Sequence, residues 1–454
     1  MNDAHTRGEA AGEPTRGANE PPSGPPATVR GIGRFDLVAL FLNGIIGAGI
    51  FGLPAKVQAL IGAHSLVAYA LCAAVVFLIL LCFAEVGSRF DKSGGPGLYA
   101  RAAFGPWVGT SIGWLVWLSR VTAFAALANL FADYLVHFWP AASGGGARAG
   151  VIIALCVALT GINLVGVRRA ALAGDVFTIA KLLPLLLFVA IGLMHVETAR
   201  FDFATVPSTA SLVQAVLLLV FAFTGFESAV IPAGETVDPK RNLPFAAMVA
   251  LAVVAPLYLL VQVVCIGTHP GLATSARPVA EAAERFLGAA GGAVIVVGAL
   301  VSMTGTLHGI TLATPRMLYA FGEQGELPRV FAATHARWRT PHVAILATSA
   351  AALALSLSGS FLGAVSLSTL ARLVTYAATC AAVIVLRRRA GAAPFGVPGG
   401  VVTAWLALAA IAGLLLSVDG VEFRNVGFVV LFGLTVRALL VWFSAGPLRP
   451  KPPQ

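Results

Sequence analysis

Charged residues are scarce in this chain. Asp, Glu, Lys and Arg make up 11% of its 454 residues, whereas they make up about 25% of a typical soluble protein. Hydrophobic residues account for 58% of the chain, and the mean hydropathy is +0.88. This composition excludes a soluble globular protein. It predicts an all-α polytopic membrane protein, because helices satisfy their own backbone hydrogen bonds within a bilayer.

Motifs for enzymatic chemistry are also missing. The sequence contains no H-E-x-x-H, no G-x-S-x-G and no nucleotide-binding P-loop. It therefore predicts neither a membrane-embedded enzyme nor an ATP-driven pump in this chain. The five cysteines lie inside apolar segments without the spacing of a metal site. We expect no cofactor and no metal ion.

Apolar segments of membrane-spanning length recur along the chain. A bilayer core requires about 20 apolar residues per helix, and this criterion predicts twelve spans. The predicted spans are 36–58, 64–88, 107–138, 150–166, 174–194, 211–232, 244–267, 289–319, 341–358, 364–386, 401–418 and 425–443.

The basic residues indicate how these spans are oriented. The net charge is +10, but the lysines and arginines are spread over alternate loops, which argues against a nucleic-acid partner. The more basic loops are expected to be cytoplasmic, and this rule places both termini in the cytoplasm. We expect residues 1–34 to be a disordered tail, residues 35–446 to form the transmembrane domain, and residues 447–454 to be a second short tail.

Two of the predicted spans are interrupted at their centres. Asn43–Leu53 reads N-G-I-I-G-A-G-I-F-G-L in the first span, and Val220–Glu235 places Gly225 and Pro232 in the sixth. Glycines also permit close helix packing, but two equivalent breaks five spans apart predict an inverted repeat with a binding site between them. The repeats would be 35–194 and 211–389, followed by two further helices in 401–443.

Several motifs together resemble one known family. They are G-I-I-G-A-G-I-F in span 1, F-A-F-T-G-F-E-S in span 6, the loop from Glu85 to Gly105, D-P-K-R-N-L-P from Asp238, and P-R-M-L-Y-A-F-G-E-Q-G-E-L-P from Pro315. The chain resembles the amino acid/polyamine/organocation superfamily of secondary transporters. The resemblance implies the fold first described for a leucine transporter, with five helices repeated in inverted orientation.

The resemblance also implies a set of substrate-binding residues. The carboxylate of an amino acid would bind the backbone N–H groups of Gly47, Ala48 and Gly49, and free N–H groups at a helix start favour an anion in any case. Ala48 stands where the motif often has serine. The ammonium group would bind carbonyl groups of Ile45, Phe221 and Thr224, with Ala222 in the same segment, and Phe221 matches an aromatic gate of the family.

Two further residues are candidates for coupling or gating. Lys181 lies in span 5, where a lysine either has a function or extends to the membrane surface. Some sodium-independent relatives carry a lysine here whose ammonium group takes the place of a sodium ion, which favours proton coupling through Lys181. Glu227 lies two residues beyond Gly225, where a relative uses a glutamate for coupling and gating.

Arg120 is unusual because it lies near the centre of span 3. A charge at this depth requires an anionic partner or water. One interpretation is a structural or gating pair with Glu227; the other is that Arg120 repels cationic substrates or binds an acidic side chain. Arg372 in span 10 is a further candidate for the pathway.

These features together predict an amino acid carrier in the plasma membrane, in a bacterium given its short loops. We expect it to be sodium-independent and proton-coupled, with protons, an amino acid and the lipid bilayer as its partners. An amino acid exchanger of the same fold and a non-transporting amino acid sensor are the alternatives.

Overall fold

The computed structural model describes residues 32–90, 95–165, 170–228, 236–418 and 420–444. Within these ranges the chain forms helices and no strands; Ile32 and Thr236 make one isolated bridge. The predicted tails lie outside the described residues except for 32–34, and so does the end of the predicted sixth span, 229–232.

Fourteen α-helices make up the described part of the chain. They are α1 (Arg34–Ile45), α2 (Gly49–Ile61), α3 (Ser65–Ser88), α4 (Gly95–Phe104), α5 (Pro106–Leu135), α6 (Gly145–Val165), α7 (Ala170–Gly192), α8 (Thr209–Phe223), α9 (Pro239–Thr268), α10 (Pro278–Glu323), α11 (His342–Ser358), α12 (Phe361–Ala390), α13 (Val401–Leu415) and α14 (Gly420–Ser444).

Six helical segments of the described ranges are long and apolar enough to cross a membrane. They are Gly49–Ser88, Pro106–Leu135, Gly145–Val165, Pro239–Thr268, Pro278–Glu323 and Phe361–Ala390. A seventh candidate is the pair of α13 with Gly420–Leu439, which is bent by 115°. The prediction of an all-α polytopic membrane protein is confirmed, whereas the predicted count of twelve spans exceeds this number.

Both predicted helix interruptions are present in the described residues. The first separates α1 from α2 at residues 46–48, and the second follows Phe223 at the end of α8. Ile46 and Thr224 have extended backbone, and Gly225 has a φ of +109°, a conformation that favours glycine. A third break lies at Gly288 inside α10 (φ +69°), one residue before the predicted start of that span.

The two main breaks touch each other through their backbones. A Cβ added at Gly44 would lie 2.7 Å from the carbonyl oxygen of Gly225, and one added at Gly49 would overlap the Cα of Ala222. Gly44 contacts Gly225, whereas Gly49, which comes later in the chain, contacts the earlier residue Ala222. The two broken segments therefore cross in opposite directions, at a separation that only glycine permits.

The sequence suggested that the connection from Glu85 to Gly105 is a loop, but part of it is helical. Residues 85–88 complete α3, and 95–104 form α4. Tyr99, Ala100 and Ala103 of α4 are buried, and α4 packs on α5 and α12. The segment was not recognised as a helix because ten residues of mixed polarity give a weak signal.

A buried carboxylate joins the ends of α3 and α12. Glu85 is fully buried, and its carboxylate accepts hydrogen bonds from Arg387 Nε at 2.6 Å and Arg387 Nη2 at 2.5 Å. The N–H of Val397 donates to the same group at 2.9 Å. Because each charged oxygen has a donor, this ion pair fixes the two helix ends to each other.

We predict that Gly44→Ala destabilises the protein. The new methyl group would meet the Gly225 carbonyl, which belongs to backbone and cannot turn away, so a cost of about 1–3 kcal/mol is expected. Thermal unfolding of the detergent-solubilised protein measures it. The matched control is Gly161→Ala in α6, where nothing lies within 4 Å of the added Cβ. Equal melting temperatures for the two variants would contradict the backbone contact.

Candidate functional site

The break between α1 and α2 leaves backbone groups without helical partners. Ile46 N–H still donates to the Leu42 carbonyl at 2.9 Å, and the first N–H groups to bond again are those of Phe51 and Gly52, which donate to Ala48. The N–H groups of Gly47, Ala48 and Gly49 make no hydrogen bond with the described residues. Three adjacent donors at the start of α2 form a potential anion-binding site.

Lys181 of α7 holds this break together from one side. Its ammonium Nζ donates to the carbonyl oxygens of Asn43 and Ile46, both at 3.1 Å, and to Thr306 Oγ1 at 3.0 Å. The side chain is 1% exposed. It therefore does not extend to the membrane surface, which was the alternative interpretation, and its three acceptors come from α1, the break and α10.

The break after α8 is held by a carboxylate instead. Thr224 Oγ1 and the Thr224 N–H both donate to the Phe221 carbonyl, at 2.8 and 3.4 Å, and close the end of α8. Three residues after Thr224, Glu227 Oε2 accepts a hydrogen bond from the N–H of Gly225 at 2.9 Å. A cation thus satisfies carbonyl groups at the first break, and an anion satisfies an N–H group at the second.

Glu227 forms a direct ion pair with Arg372 of α12. The sequence suggested Arg120 as its partner instead. Arg372 Nη1 lies 2.5 Å from Glu227 Oε1, and the Tyr376 hydroxyl donates to Glu227 Oε2 at 2.8 Å. Arg120 interacts electrostatically with both Glu227 and Arg372. The proposed Arg120–Glu227 pair is therefore not a direct ion pair in the described structure.

A cavity of about 420 Å³ lies between the two breaks, within the range usual for small-molecule sites. Six helices contribute to its wall together with the broken segments, namely α1, α2, α5, α8, α10 and α12. The residues lining it are Leu40, Asn43, Gly44, Ile45, Gly47, Ala48, Gly49, Arg120, Ala123, Leu127, Phe221, Thr224, Gly225, Gly305, Thr306, Gly309, Ile310, Leu312, Ala313 and Arg372.

The bundle is tightly packed beside the cavity at the start of α2. An added Cβ at Gly52 would lie 2.8 Å from the Phe361 ring and 3.1 Å from Leu130. In α1, the cavity wall includes Leu40 as well as the residues at the break.

Most of the predicted site residues line this cavity. Ile45, Gly47, Ala48, Gly49, Phe221, Thr224 and Arg120 do so. Three others lie outside its wall: Ala222 packs on Gly49, Lys181 binds the first break, and Glu227 binds the second.

Two of the three predicted carbonyl ligands, Phe221 and Ile45, differ in how many further hydrogen bonds they can accept. The Phe221 carbonyl already accepts two hydrogen bonds from Thr224, which occupies both of its lone pairs. The Ile45 carbonyl accepts one, from the Tyr258 hydroxyl at 3.1 Å. Ile45 is therefore the better acceptor for an additional donor.

Sequence reasoning missed three residues at this site. Thr306 of α10 accepts a hydrogen bond from the ammonium group of Lys181. Tyr258 caps the Ile45 carbonyl from α9. Asn43 lines the cavity with a buried side-chain oxygen that has no partner among the described residues. Asn43 could have been singled out from the sequence, because it is an asparagine at the edge of a glycine run within an apolar segment.

An all-helical membrane protein with a small-molecule cavity between two broken helices has the architecture of a secondary transporter. The chain belongs to the amino acid permease family, whose model matches residues 32–443. The family model describes permeases and the named relatives are transporters, so the chain is a transporter and not an enzyme.

Curated relatives cover most of the chain. An uncharacterized transporter of Mycobacterium tuberculosis is 31% identical over 362 residues, which span 79% of this chain and 80% of the relative. The methylthioribose transporter of Bacillus subtilis is 28% identical, with 79% and 82% covered. The serine/threonine exchanger SteT of Bacillus subtilis is 27% identical, with 79% and 84% covered.

We predict that Lys181→Met lowers the stability of the protein. The change keeps an unbranched apolar side chain but leaves two buried carbonyls and one hydroxyl without their donor, each at a cost of about 1–3 kcal/mol. Thermal unfolding of the purified protein measures the loss.

Two control variants accompany this test. Lys56→Met changes a partly exposed lysine on α2 and should leave the melting temperature nearly unchanged, whereas Thr306→Val removes one acceptor only and should have an intermediate effect. If Lys181→Met is as stable as Lys56→Met, the ammonium group does not hold the break.

We also predict that Glu227→Gln destabilises the protein more than Tyr376→Phe. The first change leaves the buried Arg372 without its anion, which typically costs about 3–5 kcal/mol, whereas the second removes one hydrogen bond to a charged group, worth about 1.5–3 kcal/mol. Chemical or thermal unfolding ranks the two variants. The reverse order would show that the ion pair contributes less than the hydroxyl.

Proposed function

We propose that this protein is a secondary active transporter that moves amino acids across the cell membrane by alternating access. The observation that carries the proposal is the set of free N–H groups at Gly47, Ala48 and Gly49, which face a cavity beside the Ile45 carbonyl. Donors for a carboxylate and an acceptor for an ammonium group lie together there, which suits the backbone of an α-amino acid.

The remaining predicted contacts complete this site. Thr224 and Phe221 form the wall opposite the first break, and Phe221 would cover the bound substrate as an aromatic gate. Ala222 has a supporting role, because its contact with Gly49 sets the separation of the two breaks. Recognition through backbone atoms leaves the substrate side chain to the rest of the cavity.

The proposed topology has twelve spans, with repeats at 35–194 and 211–389 and two further helices within 401–443. The opposite directions in which 44–49 and 225–222 cross support an inverted repeat. Alternate loops rich in Lys and Arg support cytoplasmic termini. Each broken span then contributes one half-helix on either side of the membrane centre.

Transport is proposed to be sodium-independent and proton-coupled. Lys181 supports this, since its ammonium group binds one carbonyl at the end of α1 and one within the first break, where a free cation would otherwise be needed. Release of its proton would remove the positive charge, leave two N–H donors for three acceptors and thereby loosen the break. Glu227 and Arg120 are proposed to gate the second break, with Arg372 as the direct partner of Glu227.

Exchange of one amino acid for another is the second candidate function. It is supported by the relative named a serine/threonine exchanger. An exchanger would use the same cavity and breaks but would reorient only when a substrate is bound.

Uptake into proteoliposomes distinguishes these mechanisms. We expect radiolabelled amino acid to accumulate when an inward proton gradient is imposed, and Lys181→Ala to abolish that stimulation. Full proton-dependent uptake by Lys181→Ala would disprove coupling through this residue. Movement only into vesicles preloaded with unlabelled amino acid would establish an exchanger, and binding without movement under either condition would establish a sensor.

A further inference from the structure

A second cavity lies on the outer face of the bundle and shares no lining residue with the substrate cavity. It is a groove of about 470 Å³ between α5, α10, α11, α14 and the turn that follows α10. Every described residue that lines it is hydrophobic, and Phe428 and Phe432 of α14 are exposed. The groove therefore opens at the surface of the protein, where a membrane-embedded bundle meets lipid.

The groove has about the depth of one leaflet of the bilayer. Its wall on α14 extends from Phe428 to Val436, which is about 12 Å at the rise of an α-helix. Half of the hydrocarbon core of a bilayer is about 15 Å thick. On the facing helix α5, Trp114 and Trp117 form the wall. These dimensions suit a lipid acyl chain that lies along the helices.

Two arginines lie at one end of this groove. Arg437 follows Val436 in α14, and its Nη1 atom donates to Glu326 Oε1 at 2.9 Å. Arg101 of α4 forms an ion pair with the same carboxylate oxygen. Glu326 in turn precedes Leu327, which lines the groove. The hydrophobic wall is therefore continuous with a pair of guanidinium groups.

Exposed side chains mark this end of the groove as the level of the membrane surface. The guanidinium group of Arg437 stacks on the ring of Trp107, 4.7 Å from its centre, and Trp107 is exposed. Tryptophan is common where a membrane meets water. The side chain of Arg101 is 37% exposed. A guanidinium group is thus accessible at the depth of the lipid headgroups.

One buried carboxylate serves both arginines. Glu326 accepts hydrogen bonds from Arg101 and Arg437 through a single oxygen, so this group of three described side chains has two positive charges and one negative charge. The next charged residues along the chain, Glu323 and Arg329, are both exposed and have opposite signs.

An anionic headgroup is the complementary ligand for this cluster. Guanidinium groups bind phosphate oxygens through parallel hydrogen bonds, and basic pockets between membrane helices bind anionic headgroups. A phospholipid carries the phosphate and the acyl chain in one molecule. It would fill the groove and the end that the arginines form.

A second copy of this chain is the other candidate for covering the groove. In a symmetric dimer the same patch of both subunits meets, so the two arginine clusters would approach each other. Like charges across an interface are unfavourable, whereas an anionic headgroup offsets the positive charge. The cluster therefore favours a lipid.

We propose that the groove binds an anionic phospholipid, with one acyl chain between α5 and α14 and the headgroup phosphate at Arg101. In the proposed topology this lipid belongs to the cytoplasmic leaflet. It would contact α5 and α10, which also line the substrate cavity.

Tryptophan fluorescence tests this site, because Trp114 and Trp117 line the groove. The full-length protein is reconstituted into phosphatidylcholine vesicles with increasing amounts of phosphatidylglycerol whose acyl chains carry bromine, which quenches nearby tryptophans. We expect half-maximal quenching at a mole fraction about fivefold lower than with brominated phosphatidylcholine, the ratio for one charge contact at a membrane surface. Salt at about 1 M should remove the difference, because it screens exposed charges.

Tryptophan variants assign the signal to the groove. The double variant Trp114→Phe/Trp117→Phe should lose the component of quenching that prefers phosphatidylglycerol. Trp405→Phe is the matched control, since Trp405 of α13 is exposed and does not line the groove. It should leave the preference unchanged.

Further variants separate the headgroup contact from the acyl-chain contact. Arg101→Gln should abolish the preference for phosphatidylglycerol, and Arg101→Lys should keep it. Arg148→Gln is the control, because Arg148 pairs with Asp133 near the other end of α5, and it should have no effect. Ala347→Phe, which fills the groove from α11, should reduce quenching of the groove tryptophans by both lipids.

The outcomes separate a lipid site from its alternatives. Equal quenching of Trp114 and Trp117 by both brominated lipids would show a groove that does not select charge, and no quenching by either would show that protein covers it; both results overturn the site. A preference that survives in Arg101→Gln would also overturn it. Should Arg101→Gln fail to fold, the salt dependence of the wild-type protein and the Ala347→Phe variant decide the matter.

Discussion

Backbone groups freed inside a membrane must find partners within the protein, since the surrounding lipid offers none. This constraint governs the centre of the molecule. At the first break, Lys181 and Tyr258 satisfy the carbonyls of Asn43, Ile45 and Ile46, while at the second break Glu227 satisfies the N–H of Gly225. Among the described residues, the N–H groups of Gly47–Gly49 keep no protein partner, and these three residues line the cavity.

The same constraint explains where the charged side chains lie. α5 is buried against α4, α10, α11 and α12, so a charge at Arg120 meets protein and the cavity, not lipid. Arg372 and Tyr376 come from α12, which packs against α5 over much of its length. The interior of the bundle can therefore hold ionic groups that its lipid-facing helices could not.

The sequence predicted those features that depend on local chemistry. A run of three glycines marked the break at residues 46–48, and Gly225 marked the second, because only glycine readily adopts its positive φ. The predicted span 289–319 begins directly after Gly288, where α10 is interrupted by another glycine with a positive φ. Lys181 was singled out for coupling by the family resemblance, and its hydrogen bonds reach the first break.

Pairings between distant residues could not be predicted in this way. Arg372 lies 145 residues after Glu227, and Thr306 lies 125 residues after Lys181. Arg120 and Arg372 are both central arginines in apolar spans, so composition and periodicity do not reveal which of them reaches the carboxylate. That choice depends on how α5 and α12 are rotated against the second break, which is a property of tertiary packing.

The hydrogen bonds of Lys181 have a consequence for how the first break responds to its surroundings. A diffusible ion at the same place would come and go with its bulk concentration, whereas an ammonium group on a side chain is present at a fixed effective concentration. Its presence does not follow the concentration of inorganic cations outside the cell. Once protonated, it can leave the carbonyls only if α7 and the break move apart, so cation release and helix movement become one event.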